Sequence, residues 1–380
     1  MNAASNGAQS RRAAALITRF ERAGYALASP AILQPAAPFL DLSGEDIRRR
    51  MYLTNDAAGR ELCLRPDLTI PVACDYLQAR KPGTAAGFCY LGPVFRQGTN
   101  GASEILQAGV ESFDRADTAA ADAEMLALGL EACTLYGVAA PEIRVGDVGL
   151  FAGLVAALDL APAWKRRLIK DFNRTASLAQ DLEELTLHGT TERPGYEGVL
   201  AALAGSDPKG AHALVTDLLS IAGISAVGGR SIDEIAGRFL EQAELAAAPA
   251  LPAKTRATIE RFLAVGGDPD LVAAKLRALM RDEGLAIGEA VDLFEARIGL
   301  LGQLEFEVMR INFSTAFGRG LDYYTGFVFE MHDPSAKSDG PLVAGGRYDT
   351  LFTRLGSPEP IPAVGFAVWI DRLTRLGGAS

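Results

Sequence analysis

Residues Gly318–Glu330 read GRGLDYYTGFVFE, with a cation, a carboxylate and two tyrosines between Arg319 and Tyr324. Gly318 and Gly320 bracket Arg319, so the backbone there is free to bend or to approach a ligand closely. From Tyr323 onward the residues are aromatic and β-branched, which predicts a strand. Alternation along that strand puts Tyr323 with Thr325, Phe327 and Phe329 on one face, and Tyr324 with Gly326, Val328 and Glu330 on the other. Only one tyrosine is then expected to face a site. A buried strand behind a glycine turn would explain the same residues. What lifts the stretch above that reading is the rest of the chain.

Downstream, Leu342–Asp349 predicts a strand, a tight turn at Gly345-Gly346 and a helix start, and Ala363–Leu373 predicts a strand running into a helix that carries Arg372. Upstream, Glu305–Asn312 has the strand pattern. Nearer the N-terminus, Leu64–Pro71 (LRPDLTIP) predicts a strand ending at Pro66, with Asp67 and Thr69 at the start of a helix. Asp67 suits either a helix cap or a partner for an amino group. Gly87–Arg96 (GFCYLGPVFR) and Ile105–Phe113 (ILQAGVESF) form an antiparallel hairpin pattern. On its returning strand Gln107, Gly109, Glu111 and Phe113 share a face. Gln107 and Glu111 are roughly 13 Å apart at ~3.3 Å per residue, a span that suits two ends of a small molecule with Gly109 leaving space between them. A solvated polar face would show the same alternation.

Around these pieces the pattern is mostly helical. Ser10 is placed to cap a helix with Ala13, Leu16, Ile17 and Phe20 on one face and Gly24 at its end, behind a mobile polar tail. Asp117 or Thr118 caps a helix closed by Gly137, and Gly146–Phe151 opens another after a strand at Glu142–Val145. From about Pro162 to Leu300 the chain reads as short helices, among them one started by Asp268-Pro269 and one with Val291, Phe294, Ile298 and Leu301 inward. No chemical motif stands out in that stretch, so packing and partner contact are its expected roles. The expected organisation is a tail over 1–12, a core in two parts over 13–160 and 305–380, and a helical insertion over 161–304.

The 380 residues, 49% hydrophobic and 22% charged, describe an ordinary globular chain. A net charge of −10 gives no overall pull towards nucleic acid. Cys63, Cys74, Cys89 and Cys133 form no CxxC pair, so buried free thiols in a reducing cytoplasm are expected rather than a zinc or redox site. No apolar run approaches a membrane span, and the N-terminus lacks the apolar core of a signal peptide.

In this order, LRPDLT, GPVFR with LQAGVE, GRGLDYY with VFE, AGGRYD and AVGFAVWIDRL resemble the class II aminoacyl-tRNA synthetase core of histidyl-tRNA synthetase. The resemblance implies an α+β fold, an antiparallel sheet flanked by helices, with a site for histidine and ATP on its face. It implies a histidine pocket made of Asp67, Thr69, Gln107, Glu111, Arg319, Tyr323 and Tyr324, and it places Arg96 and Arg372 where the synthetase grips ATP phosphates. The chemistry suits these types: a carboxylate for the ammonium group, a cation for the carboxylate, and an acceptor with a hydroxyl for the two imidazole nitrogens.

Departures from that pattern change the expected function. No anticodon-binding domain is expected, Gly101-Ala102-Ser103-Glu104 stands in place of a basic loop, Trp369 replaces a glycine beside the nucleotide, and Asp67 replaces a glutamate. With GDVGLFAGLVAAL at Gly146–Leu158, the chain resembles the ATP phosphoribosyltransferase regulatory subunit family, a synthetase paralogue. That implies a non-catalytic chain without cofactor or metal, in a hetero-oligomer with a short-form catalytic subunit that condenses ATP with phosphoribosyl pyrophosphate at the first step of histidine biosynthesis. It also implies feedback by L-histidine, self-association through the core, no tRNA, and vestigial phosphate contacts at Arg96 and Arg372. A truncated ligase that still activates histidine with ATP is the competing expectation.

Overall fold

A computed structural model describes residues 3–42, 44–79, 84–98, 103–172, 174–187, 208–221, 236–237, 240–241, 244–245, 248–249, 251–303, 311–335 and 340–377. The chain divides into two compact units, Met1–Gly153 with Phe262–Ser380, and Leu154–Arg261.

The larger unit is built on a nine-stranded sheet. Its strands are β1 (Ala26–Leu27), β5 (Ala86–Phe95), β6 (Glu104–Phe113), β7 (Glu142–Asp147), β8 (Gly266–Gly267), β9 (Ile311–Ser314), β10 (Phe327–His332), β11 (Val343–Arg347) and β12 (Ala363–Trp369). They lie in the order β1-β5-β6-β12-β11-β10-β7-β9-β8. The sheet is mixed, since β1–β5 and β7–β9 pair in parallel while the other neighbours are antiparallel. A separate antiparallel sheet joins β2 (Leu33–Pro35), β4 (Glu61–Leu64) and β3 (Tyr52–Asn55) in that order. The expected hairpin is β5–β6, running in register from Ala86↔Phe113 to Phe95↔Glu104.

Alternation gives the sheet two different faces. On β12, Phe366 points into the core against Phe20, with ring centroids 5.7 Å apart, and the helix Thr118–Leu135 packs on β10, β11 and β12. The neighbouring positions Gly365, Ala367 and Trp369 face a hollow on the other side, as do Gln107 on β6 and Ala344 on β11. Small residues in mid-sheet are what leave that hollow open.

Several local expectations change. The first helix runs Ala3–Arg22, so Ser10 lies inside it rather than capping it. Asp117 occupies the N-cap position of Thr118–Leu135 without a side-chain cap bond, because its carboxylate is taken by Arg115. Gly345 and Gly346 lie inside β11 and make no turn. A Cβ at Gly345 would sit 2.4 Å from the Cβ of Phe366, so the close approach of β12 requires glycine there. Tyr323 and Tyr324 precede β10, which begins only at Phe327. Asp268 caps Pro269–Glu283 as expected, accepting from the Asp270 amide at 3.0 Å. Positions 305–310 of the expected strand Glu305–Asn312 lie outside the described residues.

The smaller unit is helical where described. Trp164 and Leu168 of Pro162–Asp171 are buried, as are Leu178 and Leu182 of Thr175–Leu187. Arg167 bonds the buried Asp181 at 2.6 Å. Among the described residues no helix is long and apolar enough to cross a membrane, and Cys63, Cys74, Cys89 and Cys133 are free thiols.

Candidate functional site

A cavity of about 350 Å³ opens on the small-residue face of the sheet. Its floor is Ala344, Gly365 and Ala367, and its walls carry Asp67, Thr69, Arg96, Gln107, Arg319, Tyr323, Tyr324, Tyr348 and Trp369. The size and the few converging polar groups are those of a small-molecule site.

Asp67 does two things at once. One carboxylate oxygen accepts from the Ile70 amide at 3.0 Å, capping the helix Thr69–Ala79, and the side chain still faces the cavity. Burial pushes its pKa up, opposed by the Ile70 amide and the charge of Arg96. The Arg96 guanidinium is held by the Pro66 carbonyl at 2.7 Å from Nε, and burial lowers its pKa. Both helix start and hairpin end therefore converge on one corner.

Arg319 is held from behind. Its Nε donates to Glu330 Oε1 at 3.1 Å and its Nη1 to Tyr324 Oη at 2.5 Å, while the guanidinium lies 5.3 Å from the Tyr324 ring centroid. Glu330 in turn contacts His332 Nε2 at 3.0 Å. Because Tyr323 and Tyr324 stand in the irregular segment before β10, alternation does not separate them. Their ring centroids are 4.8 Å apart and both line the cavity.

Glu111 lies behind the wall, fully buried. Its Oε1 accepts from Thr69 Oγ1 at 2.6 Å and from Tyr90 Oη at 3.1 Å, and its Oε2 from the Tyr348 hydroxyl. Two glycines make room for this cage. A Cβ at Gly365 would stand 1.8 Å from Glu111 Oε2, and one at Gly109 would stand 2.4 Å from Tyr90 Oη. The space that Gly109 leaves is thus occupied by Tyr90. Burial pushes the Glu111 pKa up to about 7 against the pull of the three hydroxyl bonds.

The family model described as histidyl-tRNA synthetase matches residues 4–227 and 210–373. An ATP phosphoribosyltransferase regulatory subunit of Brucella ovis is 43% identical over 349 residues, covering 91% of this chain and 92% of the relative. The chain belongs to the ATP phosphoribosyltransferase regulatory subunit family. The Brucella abortus member is 43% identical over the same length. Membership in the regulatory subunit family assigns a regulatory role rather than catalysis of the chain's own. Solved structures agree on the fold. One titled ATP phosphoribosyltransferase regulatory subunit/histidyl-tRNA synthetase, from Bacillus halodurans, superposes with a TM-score of 0.63 at 19% identity, covering 98% of this chain and 78% of that one. The histidyl-tRNA synthetase of Nostoc gives 0.63 at 18% identity, covering 99% and 73%.

In this member of the regulatory subunit family the cavity gathers Asp67, Thr69, Gln107, Arg319, Tyr323, Tyr324 and Arg96, with Glu111 one layer behind. Arg372 is turned elsewhere. Its guanidinium lies 5.0 Å from the Trp369 ring centroid and donates to the Pro341 carbonyl. Trp369 lines the cavity, and Glu104 is exposed at the first position of β6, while Gly101 and Ala102 lie outside the described residues.

Sequence reasoning missed Tyr348 and Tyr90 as holders of Glu111, and Glu330 as the partner of Arg319. The signal for Tyr348 was present in AGGRYD, where alternation past β11 sends Arg347 and Tyr348 to opposite faces. Also missed was a buried ion cluster on the far face. Asp122 accepts from Arg297 at 2.8 Å and Arg347 at 2.7 Å, and Arg297 also bonds Asp147 at 2.9 Å. Arg297 comes from the helix Gly288–Gln303, inside the stretch where no motif was visible.

Proposed function

We propose that this chain confers histidine control on a short-form ATP phosphoribosyltransferase, the enzyme that joins ATP to phosphoribosyl pyrophosphate at the first step of histidine biosynthesis. The cavity described above is its L-histidine site. The observation that carries this reading is the polarity of the cavity. Asp67 offers a carboxylate to an ammonium group, Arg319 and Arg96 offer cations to a carboxylate, and Thr69, Gln107 and the tyrosines surround what lies between. Asp67, Thr69, Gln107, Glu111, Arg319, Tyr323 and Tyr324 are the histidine-binding set, with Glu111 acting through the hydroxyls it holds.

Control of this type needs histidine to bind one arrangement of the complex better than another, since equal affinity shifts nothing. The working assembly is a cytoplasmic hetero-oligomer with the catalytic subunit, in which this chain also self-associates through its core. Exposed Leu27, Ile32, Leu33 and Leu53 on the strands and segments near the sheet edge support such contact. A ligase that activates histidine with ATP is disfavoured because Arg372 is engaged with Trp369 and Pro341, and because the Trp369 indole fills cavity space.

The test is isothermal titration of the purified chain with histidine, with and without ATP, followed by assay of the catalytic subunit with this chain added. Histidine binding indifferent to ATP, and inhibition of the complex that weakens in Glu111→Ala while assembly persists, is the expected result. Binding strengthened by ATP with release of pyrophosphate would establish the ligase instead.

A further inference from the structure

Each hydroxyl carries one proton, and a carboxylate only accepts. Thr69, Tyr90 and Tyr348 all donate to Glu111, so when Glu111 is ionised their three protons are used behind the wall. All three residues are buried, and of them Thr69 and Tyr348 line the cavity. What those two hydroxyls turn towards a ligand is lone pairs alone. Asp67 beside them also presents acceptors. The wall made by Thr69, Tyr348 and Asp67 therefore asks for N–H or O–H donors.

Charge points the same way. The groups bonded to Glu111 are neutral, and Asp67, of the same sign, is among the groups that push its pKa up. The field of Glu111 also reaches Tyr323 and Tyr324, in the segment before β10. Arg319 and Arg96 bond Glu330 and the Pro66 carbonyl through Nε rather than Glu111. A buried carboxylate without a cation is costly, and a ligand that brings one is favoured by that deficit.

A neutral imidazole has one ring N–H and one bare nitrogen, so it brings an acceptor to an acceptor wall. The protonated ring has two N–H groups and a positive charge. We infer that the cavity takes histidine with its ring as an imidazolium, held against the acceptor wall of Thr69 and Tyr348 with ionised Glu111 behind. This deepens the histidine reading above and rests on it.

The complex then holds one proton shared between Glu111 and the ring. With Glu111 near 7 in the free protein, little net proton exchange accompanies binding near neutrality. At pH 8 both Glu111 and free imidazole are deprotonated, and binding draws a proton from solution. Affinity consequently peaks near neutral pH and falls about tenfold per unit on the alkaline side.

Calorimetric titration of the full chain at pH 8, in two buffers of different ionisation enthalpy, counts that proton. The comparison ligand is the 1,2,4-triazole analogue of histidine, whose ring stays unprotonated near neutrality and whose amino group is the same. Uptake approaching one proton with histidine and none with the analogue, together with at least tenfold weaker binding of the analogue at pH 7, is expected. Glu111→Gln, which can neither ionise nor accept all three hydroxyl protons, removes the uptake. Histidine binding at pH 8 without proton uptake overturns this inference and leaves the histidine site standing. Absence of histidine binding at every pH overturns both.

Discussion

Glu111 and Asp122 are both fully buried carboxylates, one on each face of the same sheet, and they are satisfied in opposite ways. Asp122 has two guanidinium groups, from Arg297 and Arg347, and Arg297 reaches on to Asp147. Among the described residues Glu111 is bonded by three hydroxyls and by no cation. Arg347 and Tyr348 are adjacent in sequence, and each serves the carboxylate on its own side. The ion cluster, in which Arg347 also pairs with Asp349 at 2.9 Å, welds the helix Gly288–Gln303 to the sheet. The hydroxyl cage holds its carboxyl group beside the cavity through neutral partners.

That contrast is open to direct attack. Asp122→Ala leaves two buried arginines without their shared partner and is expected to lower unfolding free energy by about 3–5 kcal/mol, measured by urea titration. A loss below about 1 kcal/mol would show that the cluster is not the weld described. Tyr348→Phe, one residue from Arg347, keeps the ring and removes one donor from Glu111. Histidine affinity is expected to fall at least tenfold, about 1.4 kcal/mol, with stability changed by no more than about 2 kcal/mol. A variant that unfolds like Asp122→Ala while binding normally would erase the distinction between the two faces.

The smallest effect concerns pH. Glu111 is raised from 4.5 to about 7 in the folded chain, so its contribution to stability is present in full below about pH 4.5 and is lost as pH rises through about 7. Between pH 6 and pH 8 the wild type should lose roughly 1 kcal/mol more than Glu111→Gln in parallel denaturant titrations. Equal slopes for the two proteins would mean that Glu111 is not the group responsible.

Much of the larger unit was legible because its signals are local. The β5–β6 hairpin, the strand-to-helix passage Ala363–Leu373 and the Asp268 cap follow from alternation, turn residues and capping chemistry within a few positions. The paired tyrosines were misjudged for an equally local reason. A strand pattern was extended four residues too far, and the irregular backbone before Phe327 brings both rings to one cavity. Arg372 carried a role by its place in a motif, but packing on Trp369 decided its direction.

The sequence by itself determined that Asp67, Thr69, Gln107, Glu111 and Arg319 stand in an order that resembles one family. Tertiary structure alone decided which of them stand at the wall and which behind it. Glu111 is separated from Tyr348 by 237 positions and Asp122 from Arg347 by 225. Neither partnership leaves a mark in any short window of sequence. Burial turns those long-range pairings into chemistry, because a charge removed from water takes its character from the few groups that touch it. Two arginines make Asp122 a fixed part of the frame, and three neutral hydroxyls hold Glu111 beside the cavity.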